Sequence, residues 1–179
     1  DVVISHNVRF SGIKLDNNFA INLNKTKQVG DIHSAGLLQS PQLEKVYFSE
    51  KSRVYLEEAV PRVKASLSHT LSWKDATFYL RNTYFGKVTG ADIIDVNGDG
   101  IIDFNEHQPI GDKIITDISA AYQFTKNVGL TLGVNNLFDI YPTKNLTAST
   151  NNDQFIYSRS TSQFGQNGRY VFARLNFNF

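Results

Sequence analysis

The clearest candidate chemistry lies in the acidic stretch DVNGDGIIDFNE at residues 95–106. Its residues match the EF-hand calcium loop at every ligand position, with Gly100 where the loop must turn sharply. Hard oxygen donors on a flexible loop favour Ca²⁺ over Mg²⁺. We therefore predict a structural Ca²⁺ site, the alternative being an acidic, glycine-rich surface turn. The predicted ligands are the side chains of Asp95, Asn97 and Asp99, the carbonyl of Ile101, Asp103 directly or through water, and a bidentate Glu106.

The residues beside this stretch do not resemble the helices of a paired EF-hand. Ile93 and Ile94 precede it, and Pro109, just after it, would stop a helix. An isolated calcium loop of this kind is typical of extracellular modules and not of calcium sensors. We predict that Ca²⁺ makes an outward loop rigid.

Other chemistries are disfavoured by composition and spacing. The chain has no cysteine, which excludes thiol catalysis and cysteine-ligated zinc, and its 18 Lys and Arg against 17 Asp and Glu argue against nucleic-acid binding. The four histidines lack zinc spacing, and His6 and His69 fall at apolar positions, where a structural role is expected. No nucleophile elbow, phosphate-binding loop or dinucleotide fingerprint is present, so an enzyme is the least favoured hypothesis.

The dominant pattern in the sequence is alternation of apolar and polar side chains with a period of two, and the strands it predicts must hold the candidate calcium loop in place. It predicts about seven strands of roughly ten residues, long enough to cross a bilayer when tilted. Helical periodicity is weak, and only residues 43–56 are predicted to hold a short helix. The alternating apolar positions include Val2, Ile4, Phe19, Ile21, Val63, Leu67, Leu71, Phe78, Leu80, Ile118, Tyr122, Leu130, Leu132, Val171, Leu175 and Phe177.

The connections between the predicted strands alternate in length. Those at residues 12–17, 74–75 and 125–127 are short, and those at 29–60, 89–113 and 140–167 are long. Short turns at one end and long loops at the other are typical of an outer-membrane barrel, whereas a soluble β-sandwich would not be expected to separate them so regularly. The predicted fold class is therefore all-β, an antiparallel transmembrane β-barrel segment.

The two faces of such a segment have different neighbours. The apolar face would meet lipid, and the polar face would line a wet or plug-filled lumen. Aromatic residues near the strand ends suggest an interfacial girdle, although aromatics are enriched in strands generally. The polar series includes Arg9, Asn22, Lys64, Ser66, Ser68, Thr70, Ser72, Arg81, Arg174 and Asn176, and the girdle candidates are Trp73, Tyr84, Tyr122, Phe124, Phe177 and Phe179.

Several short motifs together resemble a known family. GVNNLFD at residues 133–139, followed by Tyr141 and Pro142, is similar to an element near the C-terminus of TonB-dependent outer-membrane receptors. GRY at 168–170 leads into a phenylalanine-ended strand that resembles the family's terminal strand. Weaker elements at residues 24–26, 61–64 and 84–86 lie at the expected intervals. The resemblance covers residues 1–179 and identifies them as the C-terminal portion of the receptor's β-barrel.

This resemblance implies a larger, 22-stranded barrel with an N-terminal plug and a TonB box, neither of which is recognisable here. The chain would supply about seven C-terminal strands in the outer membrane of a Gram-negative cell, with long loops extracellular and the C-terminus periplasmic. The 95–106 loop would then be extracellular, and the terminal aromatic Phe179 resembles a barrel-assembly signal. The implied partners are outer-membrane lipid, the TonB system through the plug, and a surface lipoprotein as a further candidate.

Two function hypotheses remain open from the sequence. The first is a receptor and transporter for a scarce nutrient, such as a siderophore, vitamin or glycan. The alternative is a soluble extracellular all-β calcium-binding module for ligand binding or adhesion. Tyr47, Phe48, Tyr55 and residues 155–159 lie in predicted outward loops, where packing within the loops is expected over contact with a substrate.

Overall fold

The computed structural model describes residues 1–30, 48–92, 97, 107–146, 152 and 154–178. Within them the chain forms nine strands and one helix, with nearly all of the structure in antiparallel β-sheet. The bounds are β1 Val2–Phe10, β2 Ile13–Leu23, α1 Glu50–Glu57, β3 Val63–Trp73, β4 Ala76–Phe85, β5 Val88–Gly90, β6 Gln108–Ile110, β7 Lys113–Gln123, β8 Val128–Asn135 and β9 Tyr170–Phe177.

Seven strands form one sheet in the order β1-β2-β3-β4-β7-β8-β9. Each long strand pairs antiparallel with the next, so the chain runs up and down without a crossover. The predicted all-β class and the seven strands are confirmed. The separate two-stranded sheet of β5 and β6 was not predicted, because its three-residue strands fall inside the predicted long connection at 89–113.

The first short connection was placed wrongly. Residues 12–17 were predicted to be a connection, but Ser11 and Gly12 form the whole turn and β2 begins at Ile13. Both turn residues have positive φ, 46° for Ser11 and 80° for Gly12, which suits the two-residue hairpins that match strand twist. The polar pair Lys14 and Asp16, which form an ion pair at 2.7 Å, belongs to the polar face of this strand. The predicted turn at 74–75 is confirmed, with Lys74 at φ 51°.

The short helix α1 lies partly within the segment where a helix was predicted. Ser49 caps its N-terminus, because the Ser49 hydroxyl accepts a hydrogen bond from the Ser52 amide at 3.2 Å. The helix ends at Glu57, one residue beyond the predicted limit, and residues 43–47 lie outside the described part of the chain. Among the described residues, no helix is long and apolar enough to cross a membrane.

Strand register gathers the apolar residues on one face, as predicted. Partners across an antiparallel pair point to the same side of a sheet. One such row runs Val8, Leu15, Leu71, Phe78, Ala120, Leu132 and Ala173, and the next runs Phe10, Ile13, Trp73, Ala76, Tyr122, Leu130 and Leu175. We call this side of the sheet the apolar face. Much of it is exposed: Leu132 is 54% and Phe78 51% accessible.

The opposite side, the polar face, carries the hydrophilic series. One row on it contains Ser5, Asn18, Ser68, Arg81, Asp117 and Asn135. Gly133 also lies on this face, opposite Phe172, whose ring covers it so closely that a Cβ on residue 133 would collide with the ring tip and the Ser119 side chain. The glycine therefore makes room for an aromatic ring in the adjacent strand.

Polar side chains interrupt the apolar face in two places. Asn82 of β4 and Thr116 of β7 are partners, and the Thr116 hydroxyl donates to the Asn82 side-chain carbonyl at 2.7 Å. Three further polar side chains lie in the adjacent strands β1, β2 and β3. Asn17 is paired in register with both His6 and His69. Its amide nitrogen lies 3.3 Å from Nδ1 of His6, and its carbonyl oxygen lies 2.6 Å from Nδ1 of His69. We call these residues the polar ladder. The predicted structural role of the two histidines is consistent with this mutual hydrogen bonding.

The buried hydrophobic side chains lie at one end of the sheet in the described residues. They are Val54 of α1, Phe85 at the end of β4, Val88, Ala91 and Ile110. This is the end at which the long connections meet, and we call it the looped end. The sheet therefore buries little on its apolar face, and its small core holds the connections together.

Candidate functional site at the looped end

The strands β5 and β6 form a clamp at the looped end. Val88 pairs with Ile110, Thr89 with Pro109 and Gly90 with Gln108. Val88 and Ile110 are 4% and 1% accessible, so the inner side of this clamp packs into the small core. Because Gly90 and Gln108 are partners, the clamp brings together the two ends of the segment that contains the predicted calcium loop.

Asp92, just after β5, is the centre of a hydrogen-bond network that joins three parts of the chain. Its carboxylate accepts a bond from the Tyr55 hydroxyl of α1 at 2.7 Å and further bonds from the hydroxyls of Ser158 and Ser160. The Tyr55 hydroxyl also contacts the Ser160 hydroxyl. We call these four residues the Asp92 latch, because they fasten α1 and the β8–β9 connection to the clamp.

Burial and hydrogen bonding shift the pKa values of Asp92 and Tyr55 in the latch. Burial acts to raise the pKa of Asp92, but hydrogen bonds from Ser158, Ser160 and Tyr55 outweigh it and lower the pKa to about 2. Burial and the bond to Asp92 raise the pKa of Tyr55. A carboxyl group of such low pKa is a poor general base near neutral pH. The arrangement therefore fits a structural fastening better than a catalytic centre.

Two glutamines connect the long connections by hydrogen bonds to the backbone. Gln163 donates to the carbonyls of Gly86 at 2.5 Å and Gly111 at 3.1 Å. Gln108 donates to the Lys144 carbonyl at 2.8 Å and accepts from the Leu146 amide at 3.2 Å. Both side chains are buried. Buried backbone groups need hydrogen-bond partners, and these two side chains supply partners to groups that lie outside the strands.

The GVNNLFD motif forms a turn that is anchored to the polar face. The Asn136 amide donates to Asp117 at 2.9 Å, and Asp117 also forms an ion pair with Arg81 at 2.7 Å. The Asn136 side chain donates to the Ile140 carbonyl at 2.7 Å and accepts from the Ile140 amide at 2.9 Å. Asp139 accepts from the Arg169 amide at 2.7 Å. The motif thus links β7, β8 and the start of β9.

Positive φ explains why these residue types occur in the turn. Asn136 has φ 52° and Asp139 has φ 58°. Asparagine and aspartate tolerate the left-handed region better than most residues, since their short polar side chains bond locally. The motif residues have structural contacts, and no ligand is needed to account for them.

Ring contacts within the connections agree with the predicted loop packing for residues 155, 157 and 159. Tyr157 stacks on Tyr141 with ring centroids 5.9 Å apart, and Arg159 lies 4.4 Å above the Phe155 ring. Ile156 is 53% accessible. Tyr47 lies outside the described residues.

Among the predicted metal ligands, only Asn97 lies in the described part of the chain, where it is exposed. Asp95, Asp99, Ile101, Asp103 and Glu106 lie outside the described residues, so the predicted calcium site stays a prediction. No cluster of three His, Cys, Asp or Glu able to hold a metal occurs among residues 1–30, 48–92, 107–146 and the other described positions. The terminal Phe179 also lies outside them.

Sequence reasoning missed the Asp92 latch and the role of Asp117. Asp92 and Ser160 are 68 positions apart. Asp92 lies inside the predicted long connection at 89–113, and no local pattern there indicates its partners. Asn17 of the polar ladder was missed because it was assigned to a connection.

Comparison with solved structures shows which fold the antiparallel sheet and its looped end resemble. The chain has the barrel-type fold of bacterial outer-membrane receptors, which confirms the predicted resemblance to a TonB-dependent receptor barrel as a likeness of fold. No protein-family model matches the chain, and no curated protein matches it significantly.

Two receptors from Pseudomonas aeruginosa illustrate this likeness. A variant of the ferric enterobactin receptor PfeA in complex with enterobactin is similar over 99% of this chain, with 17% identity and a TM-score of 0.57. The pyoverdine receptor FpvA bound to pyoverdine is similar over 95%, with 15% identity and a TM-score of 0.52. The chain covers 22% of the first receptor and 20% of the second.

Proposed function

We propose that the chain forms part of the wall of a TonB-dependent outer-membrane receptor that takes up a scarce nutrient, such as a siderophore, vitamin or glycan. The observation that carries the proposal is the exposed apolar face, on which rows of apolar side chains cross all seven strands of an up-and-down sheet. Such a face needs an apolar neighbour, and lipid is the neighbour that a barrel wall meets. The likeness to two receptors supports the same proposal.

In this proposal the two ends of the sheet have different surroundings. The looped end, with its clamp and latch, lies outside the cell, and the short turns and the C-terminus lie in the periplasm. The connections would bind the nutrient together with a plug, and the TonB system would act on that plug. The residues described here would provide wall and outer surface, and no enzymatic step is assigned to them.

The proposal is tested with the full-length receptor. We expect it to fractionate with the outer membrane, to require detergent, and to migrate differently on gels before and after heating. Deleting its gene should abolish growth on one limiting nutrient when ferric siderophores, cobalamin and glycans are tried in turn. A protein that is soluble without detergent and unaffected by heating would contradict the proposal and favour the soluble calcium-binding module.

We further propose that residues 95–106 bind a structural Ca²⁺ ion. The support is the ligand pattern of Asp95, Asn97, Asp99, Ile101, Asp103 and Glu106, together with the clamp that holds the flanking residues Gly90 and Gln108 side by side. Closing the segment in this way lowers the entropy that ligand binding would cost. The ion would make the outer end of the receptor more rigid.

Calorimetry on the full-length receptor tests this site. We expect binding of Ca²⁺ with a dissociation constant on the order of 0.1–1 mM, as in extracellular modules. Asp95→Ala should abolish the heat, whereas Asp112→Ala, at an exposed position outside the motif, should preserve it. Heat that is absent from the wild-type protein, or that persists in Asp95→Ala, would refute the site.

A further inference from the structure

A stripe of polar side chains crosses the apolar face. It begins with the polar ladder on β1, β2 and β3 and continues through Asn82 of β4 to Thr116 of β7. The two parts are diagonal neighbours, because Asn82 is the partner of Leu67, two positions before His69 on the same face. We call the five residues of both parts the polar stripe: His6, Asn17, His69, Asn82 and Thr116.

The polar stripe lies midway between two rows that carry aromatic side chains. In β3, Trp73 belongs to one such row, and Ala65, beside Tyr84 of β4, belongs to the other. His69 is four residues from each of them. Tryptophan and tyrosine are favoured at the two interfaces between membrane and water. In a barrel wall the polar stripe would therefore lie near the middle of the hydrocarbon.

Polar groups at this depth are costly when lipid is their only neighbour. Hydrocarbon offers no hydrogen bonds, and polar residues within a membrane usually face protein or water. The stripe satisfies part of its own bonding through Nδ1 of each histidine and the side-chain carbonyl of Asn82. Among the described residues, these bonds leave Nε2 of both imidazoles and the Asn82 amide nitrogen for a further partner.

The chemistry of these remaining groups suits a second copy of the same surface. Neutral imidazole and amide groups both donate and accept hydrogen bonds, and the stripe contains no carboxylate, ammonium or guanidinium group. In a dimer with two-fold symmetry the same surface of each copy meets itself, so groups of this kind can pair without leaving a charge unpaired. His, Asn and Thr side chains join packed segments within membranes in this way. Exposed apolar side chains border the stripe, namely Ile4, Val8 and Leu67.

The surface around the stripe is large enough for a specific contact. The stripe crosses five strands, and the rows of Trp73 and Ala65 are eight residues apart along β3. With strands about 4.8 Å apart and a rise of about 3.3 Å per residue, this surface measures about 600 Å² on each copy. Two such surfaces reach the lower limit of specific interfaces, about 1,200 Å² in total.

We propose that the polar stripe is the centre of an interface with a second copy of the receptor. The two copies must have the same orientation in the membrane, so their two-fold axis runs along the membrane normal. This axis passes near β3, the middle of the five strands, and His69 and Asn82 of each copy bond across it. Lipid covers the rest of the apolar face. The inference rests on the proposed placement of the chain in an outer membrane.

Disulfide formation between copies tests the proposal in the full-length receptor in its own membrane. Leu67→Cys places a thiol on β3 beside the stripe and leaves the stripe intact. Val171→Cys is the matched control, because Val171 is exposed on the apolar face in the row of His69 but lies on β9, four strands away. Residues 1–179 contain no cysteine, and any cysteine elsewhere in the receptor is replaced by serine.

With a lipid-soluble oxidant, Leu67→Cys should yield on the order of tenfold more disulfide-linked dimer than Val171→Cys, since a disulfide needs Cα atoms within about 7 Å. Adding Asn17→Leu and His69→Leu keeps the face apolar and removes hydrogen-bonding groups from both copies. This change should lower the linked dimer of Leu67→Cys by about fivefold or more. The control pair Val134→Leu and Val171→Leu lies on the same face outside the stripe and should leave the linked dimer unchanged.

Native mass spectrometry of the receptor from nanodiscs with excess lipid gives an independent mass. We expect two copies for the wild type and one for the variant that combines Asn17→Leu and His69→Leu. Equal linking from Leu67→Cys and Val171→Cys, a link to a different protein, or a dimer that the leucine substitutions leave unchanged would overturn the proposal. If these results occur in a receptor that is still heat-modifiable and supports nutrient uptake, only the dimer inference fails.

Discussion

The sheet and the looped end are stabilised by different kinds of interaction. In the sheet, neighbouring strands pair in order, and each side chain meets its partners through a regular register. At the looped end, single polar side chains such as Asp92, Gln108 and Gln163 join segments that are far apart in sequence. The comparison teaches that the sheet depends on a repeating pattern, whereas the looped end depends on a few specific residues.

The largest expected effect comes from placing a charge on the apolar face. Leu132 lies mid-strand in β8 between Ala120 and Ala173, and it is 54% accessible. If lipid covers this face, Leu132→Arg should destabilise the receptor by about 2–4 kcal/mol. Unfolding by urea in lipid vesicles measures the difference. Thr131→Arg, on the polar face of the same strand, should change stability much less, and equal effects of the two variants would argue against lipid contact.

A smaller effect is expected where one residue joins the sheet to the looped end. Asp117 is 7% accessible and bonds both Arg81 and the Asn136 amide. Asp117→Ala should cost about 1–3 kcal/mol, because it leaves hydrogen-bonding groups without their charged partner. The control is Asp16→Ala, which removes the more exposed ion pair with Lys14 and should cost at most about 1 kcal/mol. A cost for Asp117→Ala no larger than the control would show that the anchor contributes little.

A comparable test concerns close packing on the polar face. Gly133→Ala should destabilise by about 1–3 kcal/mol, because the new methyl group collides with Phe172 and Ser119. Gly165→Ala adds a methyl group where nothing lies within 4 Å and should be tolerated. Urea unfolding measures the free energy of unfolding of both variants. Equal values would mean that the Phe172 ring moves aside without cost.

The smallest effect on global stability is expected from the Asp92 latch. Its carboxyl pKa is lowered from 3.8 to about 2, so the charged form and its bonds stabilise the latch above this range and are lost as the pH falls through it. Asp92→Asn should leave urea unfolding of the sheet nearly unchanged but speed proteolysis of the connection that carries Ser158 and Ser160. Asp112→Asn serves as the control. Unchanged proteolysis in Asp92→Asn would show that the latch does not hold the connections.

The sequence predicted the sheet well because its signal is local and repeated. Rows such as Leu71, Phe78 and Ala120 follow directly from alternation once neighbouring strands pair in order. The error at residues 12–17 arose because Asn17 is a polar residue at an apolar position, which made the beginning of β2 resemble a turn.

The looped end could not be predicted in the same way. The partners Asp92 and Ser158 are 66 positions apart, and no periodic pattern relates their places in the chain. The calcium ligands were proposed from spacing within one short segment, which is the kind of signal that a single sequence does carry. The contrast follows from distance along the chain: local patterns predict local structure, and contacts between connections depend on the assembled fold.

The polar ladder has a consequence for how the strands find their alignment. A shift of β1 along β2 by one residue would turn every side chain to the wrong face, but a shift by two residues would keep apolar residues together. Asn17 opposes this second error, because only the observed alignment places it beside both His6 and His69. Any other even shift would leave polar groups without partners among apolar side chains. The polar ladder therefore favours the observed register of β1, β2 and β3 over one that is shifted by two residues.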